Sequence, residues 1–385
     1  MILGYNEEDL KKQEGIFTAE EIAQQPETWR ETEEIIRSSR EKIDVFISEV
    51  TGKRDYDIIL TGAGSSEFTG TALYPALLRR HRGHVHAIAT TDLVDSPDVY
   101  ITPGKPALLV SFARSGSSPE SVGAVNVVDE VSDSIKHLFI TCNKDGELAK
   151  LASEKDNALS VLLPDSTHDR SFVMTSSFTN MYIAAFLCLS GDKDFSFNAA
   201  VEAAAGFIKE GYKKLEMLDN IEGIKRVVCL GSDVLRGIAR ESALKMMEIT
   251  GGEKIAIWDT PMGFRHGPKS IVDSNTLTIL YLSGNPYTRR YEMDFLSELD
   301  RDRKGSRIIA VSPVYDEEVE RLADITIVLP FEKDAENDLI APAFVTVGQT
   351  TALRLSMETG HHPDNPCPSG EVNRVVKGVT IYPYK

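Results

Sequence analysis

Asp57-Ile58-Ile59-Leu60-Thr61-Gly62-Ala63-Gly64-Ser65-Ser66 runs from a short apolar strand into a serine-rich turn that opens toward a helix. The arrangement recurs where the apolar run 107–112 meets Ser115-Gly116-Ser117-Ser118. Such turns present backbone N–H groups and hydroxyls together, which is the local chemistry that holds a phosphate without a metal or many basic residues. Neither ends in the Lys-Ser/Thr of a nucleotide P-loop, and neither completes a GxGxxG fingerprint. Taken singly, each reads equally as an ordinary strand-to-helix turn or as an anion site. Two in one half, with a matching half downstream, make a phosphorylated small molecule the leading ligand class.

The surrounding pattern alternates short apolar runs with longer amphipathic stretches. Residues 57–61, 85–89, 107–112, 137–141 and 159–163 read as strands, with helices over 69–80 and 119–133 and a buried closing helix over 175–189. A helical connector over 199–218 leads into a second series. Its strands are predicted at 226–230, 254–258, 276–282, 307–311 and 325–329, and its helices at 235–249, 287–302, 316–323 and 342–359. Corresponding strands lie about 170 residues apart (Ile58 with Val227, Leu108 with Leu277, Leu138 with Ile308), which marks a duplication by element order. Apolar strands alternating with helices imply parallel sheets covered on both faces, joined by right-handed crossovers. The expected fold is α/β: two duplicated, doubly wound three-layer α/β/α sandwiches with five-stranded parallel sheets, preceded by a helical N-terminal segment. The expected boundaries are 1–50 for that segment, 51–198 and 199–359 for the two sandwiches, and 360–385 for a tail contributing to the active site. In the segment, Thr18-Ala19-Glu20-Glu21 is read as a helix start, and Ile35, Ile36, Ile43, Phe46 and Ile47 as its apolar stripe.

With 385 residues, 42% of them hydrophobic, the chain has material for two cores. Its net charge of -17 argues against general binding to nucleic acid or anionic membranes. A small anion is still accommodated where helix N-termini oppose the global field. Cys142, Cys188, Cys229 and Cys367 form no CxxC or metal-like spacing, and the first three sit in apolar runs as reduced core residues. No signal-peptide core and no membrane-length apolar run is present, so a cytoplasmic location is expected.

The second half carries Glu241-Ser242-Ala243-Leu244-Lys245-Met246-Met247-Glu248 on its first helix. Lys245 and Glu248 share a helix face, and spacing alone favours a surface ion pair. After the next strand comes Pro261-Met262-Gly263-Phe264-Arg265-His266-Gly267-Pro268. A histidine held between glycine and proline near a strand's carboxyl end is a candidate for acid/base work.

These stretches, with Gly64-Ser65-Ser66, Arg114-Ser115-Gly116-Ser117-Ser118, Asp364-Asn365-Pro366 and Lys377, resemble the double-SIS (sugar isomerase) family over nearly all of the chain after residue 50. The resemblance is to its galactosamine-6-phosphate deaminase/isomerase group, also described as tagatose-6-phosphate ketose/aldose isomerases, and more distantly to the isomerase half of glucosamine-6-phosphate synthase. It implies that Gly64, Ser65, Ser66, Arg114, Ser115, Ser117 and Ser118 bind the sugar phosphate. It also implies that Glu248 moves a proton between C1 and C2, that His266 opens the sugar ring, and that Lys377 assists at the reacting end. Lys245 takes a supporting position, and His266 can come from a neighbouring subunit, which implies a homodimer or a dimer of dimers. Thr175 and Ser176 are read as a helix cap or as sugar contacts. One carboxylate reaching both carbons needs no metal or cofactor, and partial burial is expected to raise the Glu248 pKa toward that task. Arg114 stands where glucosamine-6-phosphate synthase has Gln, and residues 368–371 lengthen the tail before Lys377.

His81, His84 and His86 are read as a solvated basic turn rather than a metal site. His361-His362 with Asp364 suggests a metal site but finds no further ligand at recognisable spacing, the alternative being that it lines the site near Lys377; His168 is placed at the mouth of the site. The expected activity is conversion of galactosamine-6-phosphate to tagatose-6-phosphate and ammonia. The alternatives are ketose/aldose isomerisation without deamination, deglycation of sugar-amine 6-phosphates, and a non-catalytic phosphosugar-binding regulator.

Overall fold

The computed structural model describes residues 1–219, 223–376 and 378–384. The first sheet consists of β1 (Asp57–Thr61), β2 (Val85–Ala87), β3 (Ala107–Ala113), β4 (Ile135–Thr141) and β5 (Ala158–Leu162) in the order β2-β1-β3-β4-β5. The second consists of β6 (Arg226–Leu230), β7 (Ile255–Asp259), β8 (Thr276–Tyr281), β9 (Arg307–Ser312) and β10 (Ile325–Val328) in the order β10-β9-β8-β6-β7. Every pairing is parallel. The duplication extends to register: Ile58 lies opposite Leu108, and Val227 opposite Leu277. The predicted strands agree with these bounds to within two residues at either end.

The central strands β3 and β8 are buried at every position, as a parallel strand covered on both faces must be. Around the second sheet Val228, Leu280, Phe264, Phe295 and Leu299 form one apolar cluster. Around the first, Ile59, Leu109, Ala124 and Val128 form another, with Tyr384 of the tail packed against it. Two compact units result. One comprises Met1–Pro26, Arg170–Thr175 and Phe197–Ser369 and contains the second sheet. The other comprises Glu27–Asp169, Ser176–Ser196 and the chain from Gly370 onward, and contains the first sheet.

The helix Ser176–Leu189 is buried along its whole length, as its sequence predicts. Its polar side chains are satisfied within the unit. Thr179 accepts from the Trp29 indole at 2.9 Å, and Asn180 donates to Thr28 at 2.8 Å and accepts from Thr32 at 2.6 Å. Cys142, Cys188 and Cys229 are buried and unpaired, and burial pushes the Cys142 and Cys188 thiols up to about 12. No helix among the described residues is long and apolar enough to cross a membrane.

The N-terminal residues form four helices, Glu7–Lys12, Ile16–Ala23, Gln25–Ser38 and Arg40–Thr51. The expected helix start at Thr18 is corrected, because Thr18 lies inside Ile16–Ala23, whose N-cap is Gly15 without a capping side chain. The orphan donors of this first turn are met from the far end of the chain. The Asp364 carboxylate accepts the N–H of Phe17 at 2.9 Å, the N–H of Thr18 at 2.8 Å and the Thr18 hydroxyl at 2.6 Å. A start signal supplied from so far along the chain leaves no local pattern. Asp364→Ala is expected to cost about 0.5–2 kcal/mol, the range for a lost N-cap, read as a lower denaturation midpoint.

Candidate functional site

The unit with the first sheet holds both serine turns. In the order β2-β1-β3-β4-β5 the chain reverses its winding direction between β1 and β3, so the loops after these strands splay apart, where doubly wound folds bind ligands. Gly64, at φ +58 and ψ -129, brings the chain from β1 into the helix Ser65–Arg80, which Ser65 and Ser66 begin. A Cβ on Gly62 would lie 2.4 Å from the Ser66 carbonyl carbon, so only glycine permits this close turn. After β3, Gly116 takes φ +64, and Ser118 caps the helix Pro119–Val131 by accepting the Ser121 N–H. The loop after β4 braces this turn. Asn143 donates to the Ser115 carbonyl at 2.9 Å, the Leu148 N–H donates to the Gly116 carbonyl at 2.9 Å, and the Glu147 N–H donates to the Ser117 hydroxyl at 3.2 Å.

Arg114 is buried and donates to the Arg374 carbonyl at 2.9 Å. The Arg374 guanidinium in turn donates to the Asp169 carbonyl. The Asp169 carboxylate caps Ser176–Leu189, accepting the Ser176 hydroxyl, the Ser177 N–H at 3.0 Å and the Ser177 hydroxyl at 2.5 Å. The predicted Ser176 hydroxyl is therefore directed at Asp169. His168, half-buried beside this group, has a lowered pKa because burial, then Arg374, then Arg114 disfavour its charged form. Sequence reasoning missed Arg374, whose only sequence signal is its nearness to Lys377. Lys377 itself lies outside the described residues.

The other unit holds Thr175, Lys245, Glu248 and His266. Thr175 is buried, and its carbonyl accepts from Gln349 at 3.3 Å. On the helix Val234–Glu248 the pair that spacing alone puts at the surface is instead part of a buried chain of charges. Lys245 is 1% exposed and lies 2.5 Å from Glu248 and 3.1 Å from Glu241, which is itself fully buried. Spacing showed one carboxylate partner, but a second one turn earlier lets the ammonium be buried. Burial depresses the Lys245 pKa, but Glu241 and Glu248 outweigh it and leave the pKa raised, so the ammonium stays charged. Glu248 ends this row of charges with 26% of its side chain exposed, while its Lys245 partner is held in place by burial.

His266 is exposed. Its loop is anchored on both sides: Phe264 is fully buried, Thr260 caps Pro261–Phe264, and Arg265 pairs with Asp294 at 2.7 Å and Glu298 at 2.8 Å. Gly267 at φ +130 turns the chain away immediately after the histidine. The imidazole makes no hydrogen bond among the described residues.

The remaining histidines are structural. His81 bonds the Tyr56 hydroxyl at 3.1 Å and the Leu189 carbonyl at 2.7 Å, and His84 bonds the Tyr56 carbonyl at 2.9 Å. His86 pairs with Asp57 at 3.2 Å. The turn is exposed at Arg82, Gly83 and His86, while Tyr56 bonds the two partly buried rings of His81 and His84. His361 pairs with Glu253 at 2.8 Å, while Asp364 is engaged at Thr18. No group of three or more His, Cys, Asp or Glu among the described residues is arranged to hold a metal ion.

Two outcomes follow for these clusters. Lys245→Met removes the buried ammonium that Glu241 and Glu248 share and is expected to destabilise the fold by about 3–5 kcal/mol in chemical denaturation. Arg374→Gln removes a neighbouring positive charge and is expected to raise the His168 titration midpoint, measured by NMR of its imidazole resonances.

The SIS domain model matches residues 53–189. The chain is 40% identical over 373 residues to D-galactosamine-6-phosphate deaminase AgaS of Escherichia coli, covering 96% of this chain and 97% of that protein. It is 38% identical over 381 residues to the protein of the same name from a Shewanella species, covering 98% and 94%. Among solved structures, tagatose-6-phosphate ketose/aldose isomerase from Escherichia coli superposes with a TM-score of 0.88 at 38% identity, covering 96% of this chain and 97% of that one. With this identity along nearly its whole length and the two expected five-stranded parallel sheets, the chain belongs to the AgaS family of SIS-domain proteins.

Proposed function

We propose that the chain is a deaminase/isomerase that converts D-galactosamine 6-phosphate to tagatose 6-phosphate and ammonia. The observation that carries this reading is Glu248, a partly exposed glutamate fixed at 2.5 Å by a buried ammonium that Glu241 also pairs. The names of the full-length relatives support the choice of substrate. In this reading Ser65, Ser66, Ser115, Ser117 and Ser118 hold the phosphate, with Gly64 shaping the turn and Arg114 adding positive charge nearby. Thr175 and Ser176 serve the site as buried supports, and Lys245 orients the base.

The chemistry begins with ring opening, for which His266 shuttles a proton between the anomeric hydroxyl and the ring oxygen. Glu248 takes the proton from C2 of the open-chain aldehyde, and O1 is protonated to give an enolamine. Glu248 returns its proton to C1 while the nitrogen loses one, leaving C1 as an alcohol and C2 as a ketimine. Water adds to C2 and ammonia departs, which yields the ketose. A carboxylate suits this shuttle because it reaches two adjacent carbons in turn without leaving its place. Lys377, by resemblance, assists at the reacting end. The exposed His266 supports an arrangement in which it serves a neighbouring subunit of a homodimer or dimer of dimers. Buried, unpaired cysteines support a reducing, cytoplasmic setting.

A second reading, ketose/aldose isomerisation without deamination, is supported by the name of the structural relative at 38% identity. The two are separated by incubating the protein with galactosamine, glucosamine and unaminated hexose 6-phosphates and measuring ammonia and ketose independently. Ammonia and ketose in equal amounts from galactosamine 6-phosphate are expected. Turnover confined to unaminated sugars would establish the second reading, and binding without turnover would leave only a regulator. Glu248→Gln is expected to abolish exchange of the C2 proton with solvent while phosphate-dependent binding persists. Exchange at the wild-type rate would show that another group is the base.

A further inference from the structure

A cavity of about 630 Å³ lies in the unit of the second sheet, among the loops that follow β8, β9 and β10. This size falls within the range of about 300–1,000 Å³ typical of small-molecule sites. Met293, Pro313 and Tyr315 line it with apolar surface, and Arg289, Arg290 and Lys333 bring positive charge to it.

The loop after β8 is the internal counterpart of the serine turn after β3, and the loop after β6 that of the turn after β1. Asp233 after β6 holds φ +56 and ψ -129, and Gly64 after β1 holds φ +58 and ψ -129. Asn285 caps the helix Pro286–Arg301 as Ser118 caps Pro119–Val131, each followed by proline. A non-glycine residue kept in this strained conformation shows that the turn geometry is retained in the second unit.

One difference between the two copies places a carboxylate in the core. Glu292 follows Pro286 by the interval at which Val125 follows Pro119, and both are buried. The Glu292 carboxylate accepts the Ser283 N–H at 2.7 Å. Asn337 accepts the Gly284 N–H at 3.2 Å and the Ser283 hydroxyl at 2.9 Å. The donors at the base of the second turn are thus engaged by the protein's own oxygens, and a ligand anion must be met farther out by side-chain cations. Asp316 pairs with Arg289 at 3.2 Å, whereas Arg290 and Lys333 make no salt bridge among the described residues. Asp334, also lining the cavity, offsets part of this charge.

We propose that this cavity is a second ligand site, distinct from the sugar-phosphate turns, and that it takes a nucleoside 5′-phosphate. The base lies against Tyr315, Met293 and Pro313, and the phosphate meets Arg290 and Lys333. A flat ring suits walls of this composition, because aromatic and thioether side chains pack on ring faces. A bare sugar would instead set its hydroxyls against apolar surface, where they lose hydrogen bonds to water.

Calorimetric titration of the full chain tests this without reference to turnover, so its outcome is independent of the proposed reaction. The probes are adenosine 5′-monophosphate, uridine 5′-monophosphate, ribose 5-phosphate and adenosine. At least one nucleotide is expected to bind at least about tenfold more tightly than both ribose 5-phosphate and adenosine. The double variant Arg290→Ala/Lys333→Ala is expected to weaken that binding at least about tenfold, leaving galactosamine 6-phosphate binding and the association state unchanged. The proposal is overturned if neither nucleotide binds at millimolar concentration, or if the double variant binds as the wild type does. It is equally overturned if ribose 5-phosphate matches the nucleotides, if galactosamine 6-phosphate displaces them, or if the double variant changes the sedimentation coefficient, which would make the cavity a subunit contact.

Discussion

A parallel sheet is complete only when helices return the chain along its faces, and covering both faces requires the chain to reverse its winding direction once. Both sheets do so beside their first strand, between β1 and β3 and between β6 and β8. At that reversal the loops after neighbouring strands diverge, and the turns that leave them adopt backbone conformations natural to glycine. Gly64 and Gly116 supply these in one unit. The other unit keeps the first of them at Asp233 despite its side chain. The location of the serine turns is thus a consequence of strand order.

Duplication explains why the two units share a frame, and burial explains how they differ. Where one copy places Val125, the other places Glu292, and burial pushes that carboxyl up to about 7 even though Ser283, Ser232 and Arg289 oppose the shift. In the same unit the Val234–Glu248 helix buries an ammonium between carboxylates. Charge taken out of water persists only where partners are close, and the helix meets that demand with residues one turn apart on one face. Glu248 is positioned as a by-product of stabilising Lys245.

Much of this was legible in the residue order. Strand runs such as Asp57–Thr61 and Arg226–Leu230 were readable because a doubly covered strand must be continuously apolar and is bounded by turn residues. The serine turns were readable because Gly and Ser cluster after those runs. The burial of Lys245 was not, because helical spacing reports which side chains share a face but not what covers that face. Arg374 and Asp364 were illegible as partners of Arg114 and Thr18, since nothing local records a contact made across hundreds of residues. Tyr56 likewise gave no sign that it would bond His81 and His84.

By itself, then, the sequence determined the alternation of strands and helices, the duplication, and the residue types offered at each strand end, because periodicity and turn chemistry are local properties of the chain. The tertiary structure decided which charges are buried, which hydroxyls serve as caps and which stay accessible, and which tail residues reach back to the sheets. Those outcomes depend on desolvation and on long-range contacts, which exist only once the units have packed.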